Sequence, residues 1–173
     1  MLAGMLIVMA GLPGAGKSAV AEDVGRTRRA PVLSVDPIEA AMWRAGVAGE
    51  QPTGLAAYVV AEVLAEAQLA LGLDVIVDAV NDAERARQQW RDLAQRSGAV
   101  LRFVEVGCSD EDVHRRRLAQ RERGLEGFQE PDWPSVLARC AGFRAWDEER
   151  LSLDSMHPRA HNARLAMAYL SQS

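Results

Sequence analysis

Residues 11 to 18 read Gly11-Leu12-Pro13-Gly14-Ala15-Gly16-Lys17-Ser18, which satisfies G-x-x-x-x-G-K-[ST] at every fixed position. The chemistry needs each residue type for its own reason. Gly11, Gly14 and Gly16 let the backbone turn tightly and aim its N–H groups inward as an anion cradle. The loop then opens a helix, whose first free N–H groups and dipole add to the positive field. Lys17 is expected to reach the β- and γ-phosphates, and the Ser18 hydroxyl to hold Mg²⁺. Gly11, Pro13, Gly14, Ala15, Gly16, Lys17, Ser18 and Ala19 are the residues expected around a bound triphosphate, ATP being the expected nucleotide. Lys17 is also the only lysine in the chain; the remaining basic side chains are arginines.

Two carboxylates stand where a phosphate site needs them. Asp78 closes the apolar run Val75-Ile76-Val77, the position of a Walker-B acid, and is expected to hold Mg²⁺ beside Ser18, directly or through water. Asp36 follows Pro31-Val32-Leu33-Ser34-Val35. It is expected across the loop, where a carboxylate can orient an acceptor hydroxyl and take its proton. The plainer alternative for both is a helix cap, and Asp36-Pro37 reads well as an N-cap with proline at the first helical position.

Arginines cluster further on, at Arg115, Arg116, Arg117, Arg121 and Arg123. Continued as a helix, this run places Arg117 and Arg121 on one face, with His114 one turn earlier. Guanidiniums on a movable segment suit a lid, over about 117–133, that closes on the nucleotide and neutralises charge passing between phosphates. Gly124-Leu125-Glu126-Gly127-Phe128 reads as its hinge. Arg117 and Arg121 are therefore taken as catalytic candidates with Lys17 and Asp36. The competing reading is a solvated charged face paired with Glu111 and Glu122.

The remaining signals are weaker. His114, His157 and His161 lack metal-type spacing and read as surface or capping residues. The tryptophans read as core or lid anchors, although Trp43 could line an acceptor pocket. Asn81 could touch substrate or cap the next helix. Cys108 and Cys140 are read as free thiols in a reducing cytoplasm.

These groups need a scaffold. Short Val/Ile/Leu runs alternate with helical patterns, as in a parallel sheet covered on both faces. Strands are expected at about 5–10, 31–35, 74–78, 100–106 and 151–153. Helices are expected at 17–28, 37–46, 54–71, 82–97, from Ser109 as cap into the arginine run, from 133, and at 158–170. In the third helix Val59, Val63, Ala67 and Leu71 recur every four residues and predict one buried stripe. The 173 residues make one domain (1–173) of ordinary size. Hydrophobic content of 49 % with 25 % charged residues fits a globular chain, neither disordered nor membrane-spanning. A cytoplasmic location, as monomer or homodimer, is the expectation. The net charge of −4 disfavours a broad nucleic-acid surface while leaving room for a local groove.

Taken together, Gly11–Ser18, Ser34-Val35-Asp36, Val75 to Asn81, Arg87-x-x-Trp90 and Arg117-x-x-x-Arg121 resemble the small P-loop kinases. These are grouped with polynucleotide-kinase-like, zeta-toxin-like and chloramphenicol-phosphotransferase-like proteins. The resemblance runs from residue 5 to about 157. It implies a P-loop NTPase three-layer α/β sandwich: a five-stranded parallel sheet in the order 2-3-1-4-5, helices on both faces and an arginine-rich lid. It also implies ATP-dependent phosphoryl transfer to a hydroxyl, with an Asp after the second strand as base. Two departures narrow the acceptor. The D-x-x-R of polynucleotide-end kinases becomes Asp36-Pro37-Ile38-Glu39, and D-A-T-N becomes Asp78-Ala79-Val80-Asn81. Glu39 in place of arginine would repel a phosphate-bearing acceptor. The expected partner is therefore a small neutral or cationic hydroxyl compound, such as an antibiotic, nucleoside or sugar derivative. The alternatives are a polynucleotide 5′-hydroxyl kinase, or a regulatory module that binds nucleotide without being a kinase.

Overall fold

A computed structural model of the chain describes residues 4–125 and 128–172. Strand β1 (Met5–Ala10) lies at the centre of the sheet, and its last five residues are fully buried. It runs into the glycine loop and helix α1 (Lys17–Arg28). Then follow β2 (Val32–Ser34), α2 (Val35–Arg44), α3 (Thr53–Ala70), β3 (Val75–Asp78) and α4 (Glu84–Ser97). The chain continues through β4 (Val100–Gly107), α5 (Glu111–Ala119), α6 (Trp133–Arg144), β5 (Leu151–Asp154) and α7 (Arg159–Leu170). All strand pairs are parallel, and the order is β2-β3-β1-β4-β5. That is the order the resemblance implied.

The alternation along β1 sorts the core into two layers, since successive side chains in a strand point to opposite faces. Leu6, Val8 and Ala10 pack with Ala57, Ala61, Ala65, Trp90 and Leu93 from α3 and α4. Ile7 and Met9 pack with Val20, Val24, Ala166 and Leu170 from α1 and α7. β1 and β3 run in register, with Met9 opposite Asp78. The same end of the sheet therefore carries both the glycine loop and the β3 carboxylate. A crevice at the carboxyl ends of parallel strands is the ligand site of such sheets.

Four local expectations are corrected. Helix α3 buries Ala57, Ala61 and Ala65, while Val59, Val63, Ala67 and Leu71 are exposed. The reason is steric: alanines let the helix lie close on the sheet, which bulkier valines would hold off. Helix α2 starts before Asp36, with Ser34 in the capping position, so Asp36 sits in the first turn and makes no cap bond. At the start of α5 it is Asp110, not Ser109, that caps, accepting a bond from the Val113 amide at 2.8 Å. Finally, α5 ends at Ala119, so Arg121 and Arg123 lie beyond it in an irregular segment rather than on one helix face with Arg117.

Candidate functional site

The loop is fixed from behind by backbone contacts that only glycine permits. Gly11 has φ 153°, and a Cβ there would fall 2.3 Å from the Val106 carbonyl oxygen of β4. Its amide donates to the Val80 carbonyl at 3.1 Å, joining the loop to the end of β3. Gly16 occupies the position before α1 in the left-handed region, φ 98°, which lets the strand-to-helix turn close without a side-chain cap. His114 of α5 completes the support. Its Nε2 lies 2.8 Å from the Pro13 carbonyl oxygen, which fixes the proton on Nε2, and its ring meets Trp133 edge-on at 5.1 Å between centroids. His114 is 5 % exposed, so it is a buried brace of the loop rather than a surface or capping residue. No pattern along its own helix marks it, because its partner lies 101 residues earlier.

Lys17 sits inside this frame, 4 % exposed. Burial pushes its ammonium below the usual lysine range, against the pull of Asp78 and Asp36, and Arg121 and Arg123 add to the lowering. Asp78 is 5 % exposed. Its Oδ2 accepts from the Ser34 hydroxyl at 3.2 Å, whereas Oδ1 is buried with no hydrogen-bond partner among the described residues. An orphaned buried carboxylate oxygen is costly unless a ligand completes it. Asp36 lies across the cleft, and its Oδ2 accepts from Arg123 at 2.6 Å. Lys17, Ser18, Ser34, Asp36, Asp78 and Arg123 line one cleft of about 200 Å³.

A second, adjoining cleft of about 340 Å³ is lined by Gly14, Gly16, Lys17, Ser18 and Ala19 together with Arg117, Arg121 and Arg123. The structure thus brings together most of the loop and both predicted arginines. Gly11 and Ala15 face a different cavity behind the loop, beside Cys108 and Cys140, and Pro13 contributes its carbonyl to His114. The three arginines are held differently. Arg117 donates to the Ser155 hydroxyl at 2.8 Å, just past β5. Arg121 pairs with Glu130 at 3.2 Å; burial and the neighbouring Arg123 push its guanidinium below its ordinary range. For Arg123 burial acts the same way, but hydrogen bonds to Glu130 and Asp36 outweigh it and hold the charge more firmly. Arg123 also lies over the Phe128 ring at 4.8 Å, and Phe128 stacks on Trp43 at 5.3 Å. The hinge expected around 124–128 falls partly on Glu126 and Gly127, which lie outside the described residues.

Sequence reasoning missed Arg123. It stands in the same basic run, but the signal that selects it, a carboxylate 87 residues away, is spatial. Asn81 differs from both of its predicted roles. It is fully buried at φ 55°. Its Nδ2 donates to the Met9 carbonyl at 2.7 Å and its Oδ1 accepts from the Trp90 indole at 2.8 Å. It therefore ties β1, β3 and α4 together and touches neither cleft. The Trp43 indole donates to Thr53 Oγ1 at 2.9 Å, and that hydroxyl donates to Glu39 at 2.7 Å. These residues form the outer wall between α2 and α3. Trp43 itself borders an open cleft with Val47, Glu50 and Gln129.

A parallel 2-3-1-4-5 sheet with a glycine loop after its central strand defines a P-loop nucleotide-binding protein. Residues 6–134 match the AAA_33 family, described as an AAA domain, and the chain belongs to that family. No curated protein matches the sequence. Among solved structures, a putative kinase from Chloroflexus aurantiacus is similar with a TM-score of 0.77 and 17 % identity, covering 98 % of this chain and 100 % of that one. The Mycobacterium tuberculosis APS kinase CysC, solved with AMPPNP and APS, gives 0.72 and 21 %, covering 99 % and 100 %. Chaetomium thermophilum Kti12, solved with ADP-AlF3, gives 0.70 and 20 %, covering 95 % and 96 %. At these identities the similarity is one of fold, and the fold is that of P-loop NTPases.

Proposed function

We propose that the protein is an ATP-dependent kinase that transfers the γ-phosphoryl group to a hydroxyl of a small molecule. The observation that carries this reading is the single cleft in which Lys17, Asp36, Asp78 and Arg123 converge. A nucleotide site alone needs a loop, a lysine and a metal carboxylate. The additional acid and the lid arginine across from them are what transfer to an acceptor requires.

In this scheme the loop amides and Lys17 bind the β- and γ-phosphates, whose charge favours the buried ammonium. Ser18 and the unpartnered Oδ1 of Asp78 would hold Mg²⁺, which neutralises phosphate charge when bound. The donor set fits, since Mg²⁺ takes few protein oxygens and leaves its other positions to water and phosphate. Arg117 and Arg121 draw onto the phosphates from the lid. Asp36 accepts the proton of the acceptor hydroxyl as its oxygen attacks the γ-phosphorus. The bond to the β-phosphate oxygen breaks and ADP leaves. The acceptor lies between α2, the 46–54 loop and α3, where Glu39 disfavours an anionic compound. Two of the similar structures are of kinases, which agrees with this reading.

A second reading has one observation behind it. Asp36 is already occupied by Arg123, and a regulatory module that binds nucleotide without an acceptor would need it for nothing else; Kti12 shares the fold. A screen with labelled ATP over alcohol-bearing antibiotics, nucleosides and sugars, repeated with Asp36→Asn, separates the two. Transfer that disappears in Asp36→Asn while ATP still binds supports the kinase. No transfer to any acceptor, or transfer untouched by Asp36→Asn, refutes the assignment.

A further inference from the structure

Helix α3 is apolar on two opposite sides, with Glu62 and Glu66 along one seam between them. Its alanine stripe faces the sheet between α2 and α4, and the opposite side carries Leu55, Val59, Val60, Val63, Leu64 and, just past its end, Leu71. These are exposed to between 38 % at Val60 and 73 % at Leu71. At the helical period they fall within about half the circumference. An apolar helix face is normally buried against another element, and here only the alanine side is. We infer that the exposed half is buried against the same face of a second copy of the chain, in a two-fold symmetric dimer with the two α3 helices antiparallel.

Size, charge and symmetry favour that occupant. From Leu55 to Leu71 the stripe is about 24 Å long. Half of a helix surface of that length presents on the order of 500 Å², or roughly 1,000 Å² when two copies meet, which reaches the floor for a specific interface. One edge of the stripe carries Glu62 and Glu66, and both are held by Arg96 of α4, the Glu66 contact at 2.9 Å. Two copies can therefore approach without opposing an uncompensated like charge. The same edge argues against a bilayer. By length and composition α3 could cross a membrane, and an apolar helix face could lie on one. Surface binding, however, draws on a fringe of Lys and Arg facing anionic headgroups. Here the only lysine is buried in the cleft and Arg96 is committed to two glutamates. An isologous contact places the middle of the stripe on the symmetry axis, so each Val63 faces its counterpart while Leu55 meets the far end of the partner helix. The face lies outside both clefts, and the inference does not depend on the kinase reading.

Sedimentation velocity across a concentration series tests it. The wild-type chain is expected to dimerise, and Val63→Glu and Leu71→Glu, each placing a charge in the contact, to weaken self-association at least about tenfold. ATP affinity and the circular dichroism spectrum should be retained in both, which separates lost association from lost folding. Under mild oxidation Val63→Cys should form a covalent dimer, while Leu55→Cys and the wild-type chain, with its native thiols, should not. A wild-type chain monomeric at every concentration overturns the proposal. So does a Val63→Glu dimer as stable as wild type, or equal cross-linking at both cysteine positions. Flotation with vesicles of phosphatidylcholine and phosphatidylserine assigns the face to a membrane, and a stable complex with a different protein in place of the self-dimer assigns it to that partner; either result overturns the dimer.

Discussion

The two sides of the cleft are built on different principles. On the donor side, position is set by backbone: a buried central strand, glycines packed against neighbouring carbonyls, and a helix start. Lys17 and Asp78 are each almost fully buried there. On the acceptor side, position is set by side chains reaching across the fold. Asp36, Arg123 and Glu130 hold one another through ion pairs of 2.6 to 2.7 Å, stacked on Phe128 and Trp43. Backbone-fixed groups pre-organise charge at small reorganisation cost. Groups held by ion pairs at a lid can exchange partners when the lid moves. On the proposed reading, the nucleotide half is held by backbone and the acceptor half by exchangeable side-chain pairs.

The largest test of that contrast is Lys17→Ala. Phosphoryl transfer should fall on the order of 10³-fold, the size of loss seen when a pre-organised charge leaves a water-poor site, with the circular dichroism spectrum unchanged. Undiminished turnover would remove the donor side from the argument. Replacing Arg117 and Arg121 together by alanine should lower kcat by roughly 10²- to 10³-fold, somewhat less than loss of an arginine finger. If only the melting temperature moves, the arginines are a charged surface and the lid assignment fails. Arg123→Ala should act mainly on the acceptor: about a tenfold rise in its KM, because Asp36 and Glu130 lose their shared cation, with ATP affinity little changed. A matching loss of ATP affinity would place Arg123 on the donor side instead.

Protonation offers a subtler probe. The folded Lys17 value lies below the ordinary 10.5, so between the two the unfolded chain binds more protons. Nucleotide-free protein should gain stability from this group as pH rises through that window. Bound phosphates favour the ammonium, so saturating ATP should flatten the gain. Urea unfolding at stepped alkaline pH, with and without ATP, reads the difference; no gain in the nucleotide-free protein would contradict the lowered Lys17 value, and identical slopes would contradict the effect of bound phosphate. The smallest effect is expected outside both clefts. Tyr58, whose burial pushes its hydroxyl up to about 12, accepts the Asn81 amide at 3.3 Å. Tyr58→Phe should cost about 1 kcal/mol in denaturant unfolding and leave turnover unaltered.

How far the sequence could be read follows the same division. The positions of the loop, Lys17 and Asp78 were legible because they depend on local spacing and on the ends of two apolar strands. The sheet order came with the resemblance, not from the pattern of hydrophobicity. Arg123, His114 and Asn81 were not legible, since each is defined by a partner 87, 101 or 72 residues away. The α3 stripe was misread for another reason. Every-fourth-residue periodicity identifies a face, but α3 has two apolar faces, and only the size of the side chains tells which can approach a sheet. The end of α5 at Ala119 likewise left no mark, as arginine is a good helix former and nothing in the run breaks a helix before Gly124.

The solitary lysine has a practical consequence. Lys17 is the one side-chain primary amine in the 173 residues, so an amine-directed reagent has one side-chain target, and it lies in the cleft. An acylating reagent delivered on a nucleotide scaffold would mark a single internal position. The extent of labelling, read by mass spectrometry of one peptide, would report occupancy of the loop directly. The same scarcity means that acetylation or ubiquitin attachment on a lysine side chain of these residues would fall within the cleft.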